Sequence, residues 1–220
     1  SATGHTGNRL IVTDSVFSMD GDLAPLEGIV ALAQQHQAWV MVDEAHSTGV
    51  FGPNGAGLAE ELNLQEAIEV QMGTLSKALG GCGAYLAGSR ELIEWVVNKA
   101  RSFIYTTAPP PQIAATALAA LDVLREEPQR RTLLWENAAF LAQGLRNLGY
   151  TLGASRSPII PVMIGDPERT VQLSAALLKR GVFAYGVRPP TVPEATSRLR
   201  LVPIASHTRS QLEQALEYIA

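Results

Sequence analysis

Along the chain, short continuous apolar runs alternate with stretches whose apolar positions recur at helical spacing. The runs predict buried strands and the spaced stretches predict amphipathic helices; their alternation predicts an α/β fold with a largely parallel sheet. Leu10-Ile11-Val12-Thr13 is the first strand. Leu26, Ile29, Val30 and Ala33 then share one helical face up to about Gln37, with Pro25 tolerated in the first turn. Trp39-Val40-Met41-Val42 is apolar throughout, which predicts a parallel strand covered on both faces, and it ends abruptly in Asp43-Glu44-Ala45-His46. A Gly/Pro/Asn loop over 49–57 and a short helix lead to a strand over 68–72 that meets Thr74-Leu75-Ser76-Lys77. Residues 85–88 form a fourth short strand, and Leu92, Ile93, Val96, Val97 and Ala100 mark the next helix.

After Pro109-Pro110-Pro111 the pattern is helical over 113–125 and 133–148, with Pro128 between. Beyond Gly149 it changes to strands over 158–164, 182–187 and 199–204, a helix over about 168–180, and a last helix bearing Leu212, Ala215, Leu216 and Ile219. This predicts a large α/β domain over 1–125, then a helical bridge and a small α+β domain over 126–220. No internal repeat or low-complexity segment is present.

Composition narrows the class. The chain has 220 residues, 46% hydrophobic and 17% charged, a globular balance that excludes disorder, collagen and coiled coil. At this size roughly 70% of the extended-chain surface leaves water on folding, so a core forms without disulfides or a structural metal. The single cysteine, Cys82, permits no internal bridge and fits a reducing, cytoplasmic compartment. A net charge of −4 with scattered basic residues argues against nucleic acid or an anionic membrane as partner. No apolar run reaches membrane-spanning length and no signal peptide opens the chain. The start at Ser1 implies processing or a longer protein.

In open α/β sheets ligands sit beyond the carboxyl ends of the strands. Two polar clusters fall there: Asp43 to Ser47 after one strand and Thr74 to Lys77 after the next. Lys77 is one of three lysines and is flanked by Leu75 and Ala78-Leu79-Gly80-Gly81. Apolar surroundings lower a lysine's pKa and free the amine as a nucleophile toward carbonyls; the ordinary alternative is a lysine whose stem snorkels to solvent. Asp43 either caps the turn that follows or holds a cationic ring nitrogen, as the acidic partner of a pyridoxal phosphate ring does. His46 either bonds the phenolic oxygen of such a ring or is satisfied by backbone in the turn. The run Gly80-Gly81-Cys82-Gly83 lacks phosphate-loop spacing and implies close backbone packing beside Lys77. Thr106 and Thr107 either donate hydroxyls to a phosphate or start the bend into the prolines. Arg198 and Arg200 alternate with Leu199 and Leu201, so both arginines share one face; a carboxylate clamp is one reading of Arg200, and a solvated sheet face is the favoured reading of Arg198.

The tetrapeptide Asp43-Glu44-Ala45-His46 also spells a motif of DEAH-type helicases. That reading requires an upstream GxxxxGK[ST], and the chain holds no Gly-Lys dipeptide. Instead, five stretches in order resemble the α-oxoamine synthase branch of the fold-type-I pyridoxal phosphate enzymes. They are Val16-Phe17-Ser18-Met19-Asp20-Gly21-Asp22, Val42-Asp43-Glu44-Ala45-His46-Ser47-Thr48-Gly49, Gly73-Thr74-Leu75-Ser76-Lys77-Ala78-Leu79-Gly80-Gly81, Phe103-Ile104-Tyr105-Thr106-Thr107, and Arg188-Pro189-Pro190-Thr191-Val192-Pro193 leading to Leu199-Arg200-Leu201.

The resemblance implies the second part of a fold-type-I large domain plus a small C-terminal α+β domain, with an N-terminal portion absent. It implies pyridoxal 5'-phosphate as cofactor, Lys77 as the Schiff-base lysine and Asp43 as the partner of the ring nitrogen. His46 and Ser18 would bond the phenolic oxygen, and Thr74 would lie near the phosphate. Thr106 would reach the phosphate in a neighbouring subunit, which implies a homodimer with shared active sites. Arg200 would bind the amino acid's carboxylate and Thr191 would line the substrate pocket. The implied reaction condenses an amino acid with an acyl-CoA or acyl-carrier-protein thioester and releases CO₂, with Lys77 as the general base. Family members carry a glycine-containing phosphate turn and a ring-stacking histidine ahead of the Ser18 motif; His5 is in the wrong place to be that histidine. These residues alone are therefore expected to be poorly active. A non-catalytic assembly partner is the reading from a different class, and the presence of Lys77 argues against it.

Overall fold

The computed structural model describes residues 7–220, so His5 lies outside the described residues. The chain divides into two compact units. The first runs to Val16 and over Ala24–Glu127; the second comprises Phe17–Leu23 and Pro128–Ala220. The strip Phe17–Leu23 thus joins the second unit although its chain neighbours belong to the first, an exchange that sequence order does not reveal.

In the first unit, β1 (Arg9–Asp14), α1 (Leu26–Gln35) and β2 (Ala38–Asp43) form a parallel β–α–β repeat. Next come α2 (Leu58–Glu61), a single 3-10 turn (Gln65–Ala67) and β3 (Val70–Thr74), which pairs parallel with β2. β4 (Ala84–Gly88) returns antiparallel to β3, so the sheet order is β1-β2-β3-β4. Helices α3 (Arg90–Lys99), α4 (Arg101–Ile104) and α5 (Pro111–Glu126) follow. α1 stops at Gln35, two residues short of the expected Gln37, because Gln37 takes a left-handed φ of 50° that turns the chain into β2.

α1 packs against β2 through Leu26, Val30 and Ala33, and Val40 and Val42 are buried. The partners of β2 on the opposite face behave otherwise: Leu10 is 51%, Val12 61% and Trp39 50% exposed. The continuous apolar run at 39–42 is therefore covered on one face only by the described residues. The expectation of a strand covered on both faces is corrected accordingly.

The second unit contains α6 (Gln129–Asn147), β5 (Ile160–Gly165), α7 (Pro167–Lys179), β6 (Tyr185–Val187), β7 (Ser197–Leu201) and α8 (Arg209–Ile219). Its sheet is antiparallel in the order β5-β7-β6. Local chemistry sets the helix starts. Asp166 accepts from the Arg169 N–H ahead of Pro167, and Thr208 forms a reciprocal capping box with Gln211. Two strands are shorter than their apolar runs. Val182 is spent finishing α7, its N–H donating to the Leu177 carbonyl, so β6 begins only at Tyr185. β7 ends at Leu201 rather than Ile204, since Pro203 has no N–H to extend the ladder.

Leu141, Leu145, Ile160, Val162, Leu177, Leu199, Leu201 and Ile219 make the core of this unit. Among the described residues no helix is long and apolar enough to cross a membrane, and no cluster of three or more His, Cys, Asp or Glu could hold a metal ion. Leu145 is wholly buried in this core, so Leu145→Ala is expected to lower unfolding free energy by about 3 kcal/mol, measured by urea denaturation followed by circular dichroism.

Candidate active site

Parallel register brings the first site residues together. Asp14 ends β1 and Asp43 ends β2, and the two are direct partners across the strand pair. Paired residues share a sheet face, so the two carboxylates stand side by side. Burial raises the Asp14 carboxyl above its ordinary value, the Asp43 charge raises it further, and Lys77 opposes both. That electrostatic pattern places Asp14, Asp43 and Lys77 in one neighbourhood.

Asp43 shows its capping role: its Oδ1 accepts from the Ala45 N–H at 2.8 Å. Its second oxygen has no hydrogen-bond partner among the described residues and remains available to a cation. Ser15, next after β1, donates through its N–H (2.9 Å) and its hydroxyl (3.0 Å) to the Asp43 carbonyl, fixing the two strand ends to each other. Glu44 is buried and His46 half-buried in the turn that follows. Burial pushes the Glu44 carboxyl up, partly offset by hydrogen bonds to its carboxylate from the Ala59 and Leu58 N–H groups.

Lys77 lies in the loop between β3 and β4. The loop is narrow: Leu75 N–H donates to the Gly83 carbonyl at 2.9 Å and Gly81 N–H to the Leu75 carbonyl at 2.7 Å. Thr74 closes it from inside, its hydroxyl sharing a 2.7 Å bond with Ser76 and donating to the Gly83 carbonyl at 3.0 Å. The glycines therefore do permit close backbone packing. A Cβ on Gly81 would come within 3.2 Å of the Leu75 carbonyl oxygen. The loop also leans on the His46 turn: a Cβ on Gly49, at φ +80°, would lie 2.6 Å from the Ala78 Cβ. Lys77 itself is exposed, which agrees with the reading of a lysine that reaches solvent and not with apolar surroundings. The apolar neighbours in sequence, Leu75 and Leu79, turn inward, and the lysine does not follow them. Thr106 and Thr107 are exposed in the segment between α4 and α5.

In the second unit, β7 is the central strand and projects both arginines toward the strip Phe17–Leu23. Arg200 Nε donates to the Ser18 carbonyl at 2.6 Å. Arg198 forms an ion pair with Asp20 and donates through Nε to the Thr196 carbonyl at 2.9 Å. Arg198 is only 4% exposed, so the solvated-face reading is corrected. Its charge is buried because a carboxylate meets it. Burial lowers both guanidinium groups from the ordinary arginine value, and an arginine remains cationic through the physiological range. The Nη atoms of Arg200 have no hydrogen-bond partner among the described residues, so they can receive a carboxylate. Thr191 is exposed beside the cis Pro189-Pro190 peptide, its N–H donating to the Arg188 carbonyl at 3.1 Å.

Three residues escaped the sequence reading: Asp14, Glu44 and Asp20. Asp14 carried a signal, since it terminates its apolar run as Asp43 terminates the next. Asp20 carried none, because its partner lies 178 positions away.

Because the folded-state pKa of Asp14 is raised above 3.8, protonation favours the folded form, and that contribution is lost as pH rises from 3.8 through the raised value. Asn cannot ionise. Asp14→Asn is therefore expected to gain thermal stability relative to the unsubstituted protein between pH 4 and pH 7, read as the difference in melting midpoints across that range.

The sequence family described as aminotransferase class I and II matches residues 2–219. An 8-amino-7-oxononanoate synthase of Anaeromyxobacter dehalogenans is 50% identical over 212 residues, 96% of this chain and 53% of the relative. A solved structure of serine palmitoyltransferase with PLP matches with a TM-score of 0.95 and 37% identity, covering 99% of this chain and 55% of that one. The 8-amino-7-oxononanoate synthase of Francisella tularensis matches with a TM-score of 0.81 and 30% identity, covering 98% of this chain and 63% of that one. The chain spans about half the length of the curated relatives it matches. It belongs to the aminotransferase class I and II family, where the relatives it resembles are α-oxoamine synthases.

Proposed function

We propose that the protein is a pyridoxal-phosphate-dependent C-acyltransferase of the 8-amino-7-oxononanoate synthase type. It condenses L-alanine with a pimeloyl thioester, on coenzyme A or a carrier protein, with loss of CO₂, a step of biotin synthesis in the cytoplasm. The observation that carries the reading is the meeting of Asp14, Asp43 and Lys77 at the carboxyl ends of parallel strands, in a chain 50% identical to a named synthase of this kind.

The donor set fits the cofactor. Lys77 offers an exposed amine to its aldehyde, and the second Asp43 oxygen offers an acceptor to its ring nitrogen. Thr106, from the other subunit of a homodimer, would offer a hydroxyl to its phosphate, and Thr74 would lie near that phosphate with its own hydroxyl donated to the Gly83 carbonyl. His46 and Ser18 would hold the phenolic oxygen. When bound, the cofactor supplies an electron sink for the charge left as the amino acid's α-proton departs.

The chain's own residues do the rest. Asp43 would hold the proton on the ring nitrogen through its second carboxylate oxygen. Lys77 would supply the amine that takes the α-proton. Arg200 receives the amino acid's carboxylate on its free Nη atoms, because its Nε is already committed to Ser18. Thr191 lines the pocket for the side chain or acyl group.

Steady-state assays of the purified protein with alanine, glycine and serine against pimeloyl, acetyl and succinyl thioesters test the reading. Alanine with the pimeloyl thioester is the expected pair, and Lys77→Ala is expected to lower kcat roughly a thousandfold. Turnover confined to glycine and the succinyl thioester would replace the assignment with an aminolevulinate-forming one.

A further inference from the structure

Between Asp43 and His46 stands Glu44, to which the proposed chemistry gives no part. It is 2% exposed, an expensive place for a carboxylate unless hydrogen bonds meet it. They do. Its Oε1 accepts from the Ala59 N–H at 2.8 Å and its Oε2 from the Leu58 N–H at 3.1 Å, at the start of α2, and the Ser47 hydroxyl donates to Oε2 as well. Its carbonyl accepts from the N–H groups of Ser47 (3.0 Å) and Thr48 (2.8 Å) and from the Thr48 hydroxyl (2.9 Å). Its own N–H donates to the Met72 carbonyl in β3 at 2.6 Å.

One residue therefore joins the end of β2, the middle of β3, the turn that carries His46 and the start of α2. The two residues after His46 have second anchors. The Ser47 hydroxyl shares a 2.8 Å bond with Ser15 beyond β1, and the Thr48 hydroxyl a 2.9 Å bond with Tyr85 on β4. The backbone closes tightly over the carboxylate: a Cβ on Gly57, at φ +136°, would lie 2.7 Å from Glu44 Cδ. Only glycine accepts both that conformation and that approach.

We propose that Glu44 is a positioning residue, whose buried carboxylate ties residues 45–59 to the strand ends and thereby holds His46 in place beside Asp43. This rests on the reading that Asp43 and His46 face the cofactor. The turn's backbone is held at Glu44, Ser47 and Thr48, and fixing that backbone sets the point from which the His46 side chain projects. Glu44 removes that freedom by filling the space under the turn with acceptors that its N–H and hydroxyl groups require.

The test is the NMR signal of the His46 imidazole in the full chain, assigned by its loss in His46→Gln. Glu44→Ala is expected to shift and broaden the His46 signals while those of His36 and His207 stay in place. Glu44→Gln, which keeps an acceptor for Ala59, is expected to restore most of the native position. Val30→Ala, a core substitution under the same sheet, controls for loss of stability alone and should leave His46 unmoved. His46 signals in Glu44→Ala that coincide with the native ones, or that move equally in Val30→Ala, would overturn the proposal. Should Glu44→Ala not fold, Ser47→Ala, which removes one donor to the carboxylate, is read in the same way. The signal is independent of turnover, so absence of acyltransfer in the native protein would sink the functional reading and leave this measurement standing.

Discussion

The parallel register of β1, β2 and β3 is the constraint on which the site depends. Because the three strands run the same way, their carboxyl ends reach one edge of the sheet, and the first polar residues after each apolar run meet there. Asp14 and Asp43 are direct partners in that register, and two like charges side by side work against the pairing. Lys77, from the loop after β3, supplies the opposite charge. The arrangement thus accepts an electrostatic cost at the strand ends and recovers part of it from the lysine that the proposed chemistry needs there. Stability and function draw on the same three residues.

The loops that follow the strands are held by different means. The Lys77 loop is pinned by backbone hydrogen bonds and by glycines that let its two arms approach. The His46 turn is pinned by a buried carboxylate. In the second unit, β7 uses its two arginines on one strip, Arg198 through the Asp20 carboxylate and Arg200 through the Ser18 carbonyl. Arg198 and Arg200 differ by two positions and share a face, yet Arg198 already meets a carboxylate through a terminal nitrogen and Arg200 keeps both of its terminal nitrogens open. That difference separates a structural arginine from one able to take a substrate carboxylate.

Much of this was legible in the residues. Periodicity places the strands and helices because it follows the geometry of each element, and the abrupt change from Val42 to Asp43 marks a strand's carboxyl end. The ends of β6 and β7 were misplaced because Val182 and Val202 have apolar side chains but backbone groups committed elsewhere or blocked by Pro203. Burial of the run at 39–42 was over-read, since apolar character reports a preference for cover and not the presence of it. Sequence neighbours left Lys77 open between an apolar setting and a stem that reaches solvent, because a turn sends neighbours in different directions. Arg198 was read as solvated because its partner Asp20 is remote in sequence. Glu44 was passed over because a charge next to a charge reads as solvent-facing until its acceptors are seen to be filled.

The most direct test of the account is where pyridoxal phosphate attaches. Incubation of the protein with the cofactor, borohydride reduction and peptide mass spectrometry report the pyridoxyl mass on each of Lys77, Lys99 and Lys179. Convergence of Asp14, Asp43 and Lys77 at one sheet edge predicts the adduct on Lys77, with the other two lysines essentially unmodified and the Lys77 adduct diminished in Asp43→Ala. An adduct spread evenly over the three lysines, or a Lys77 adduct indifferent to Asp43, would contradict it.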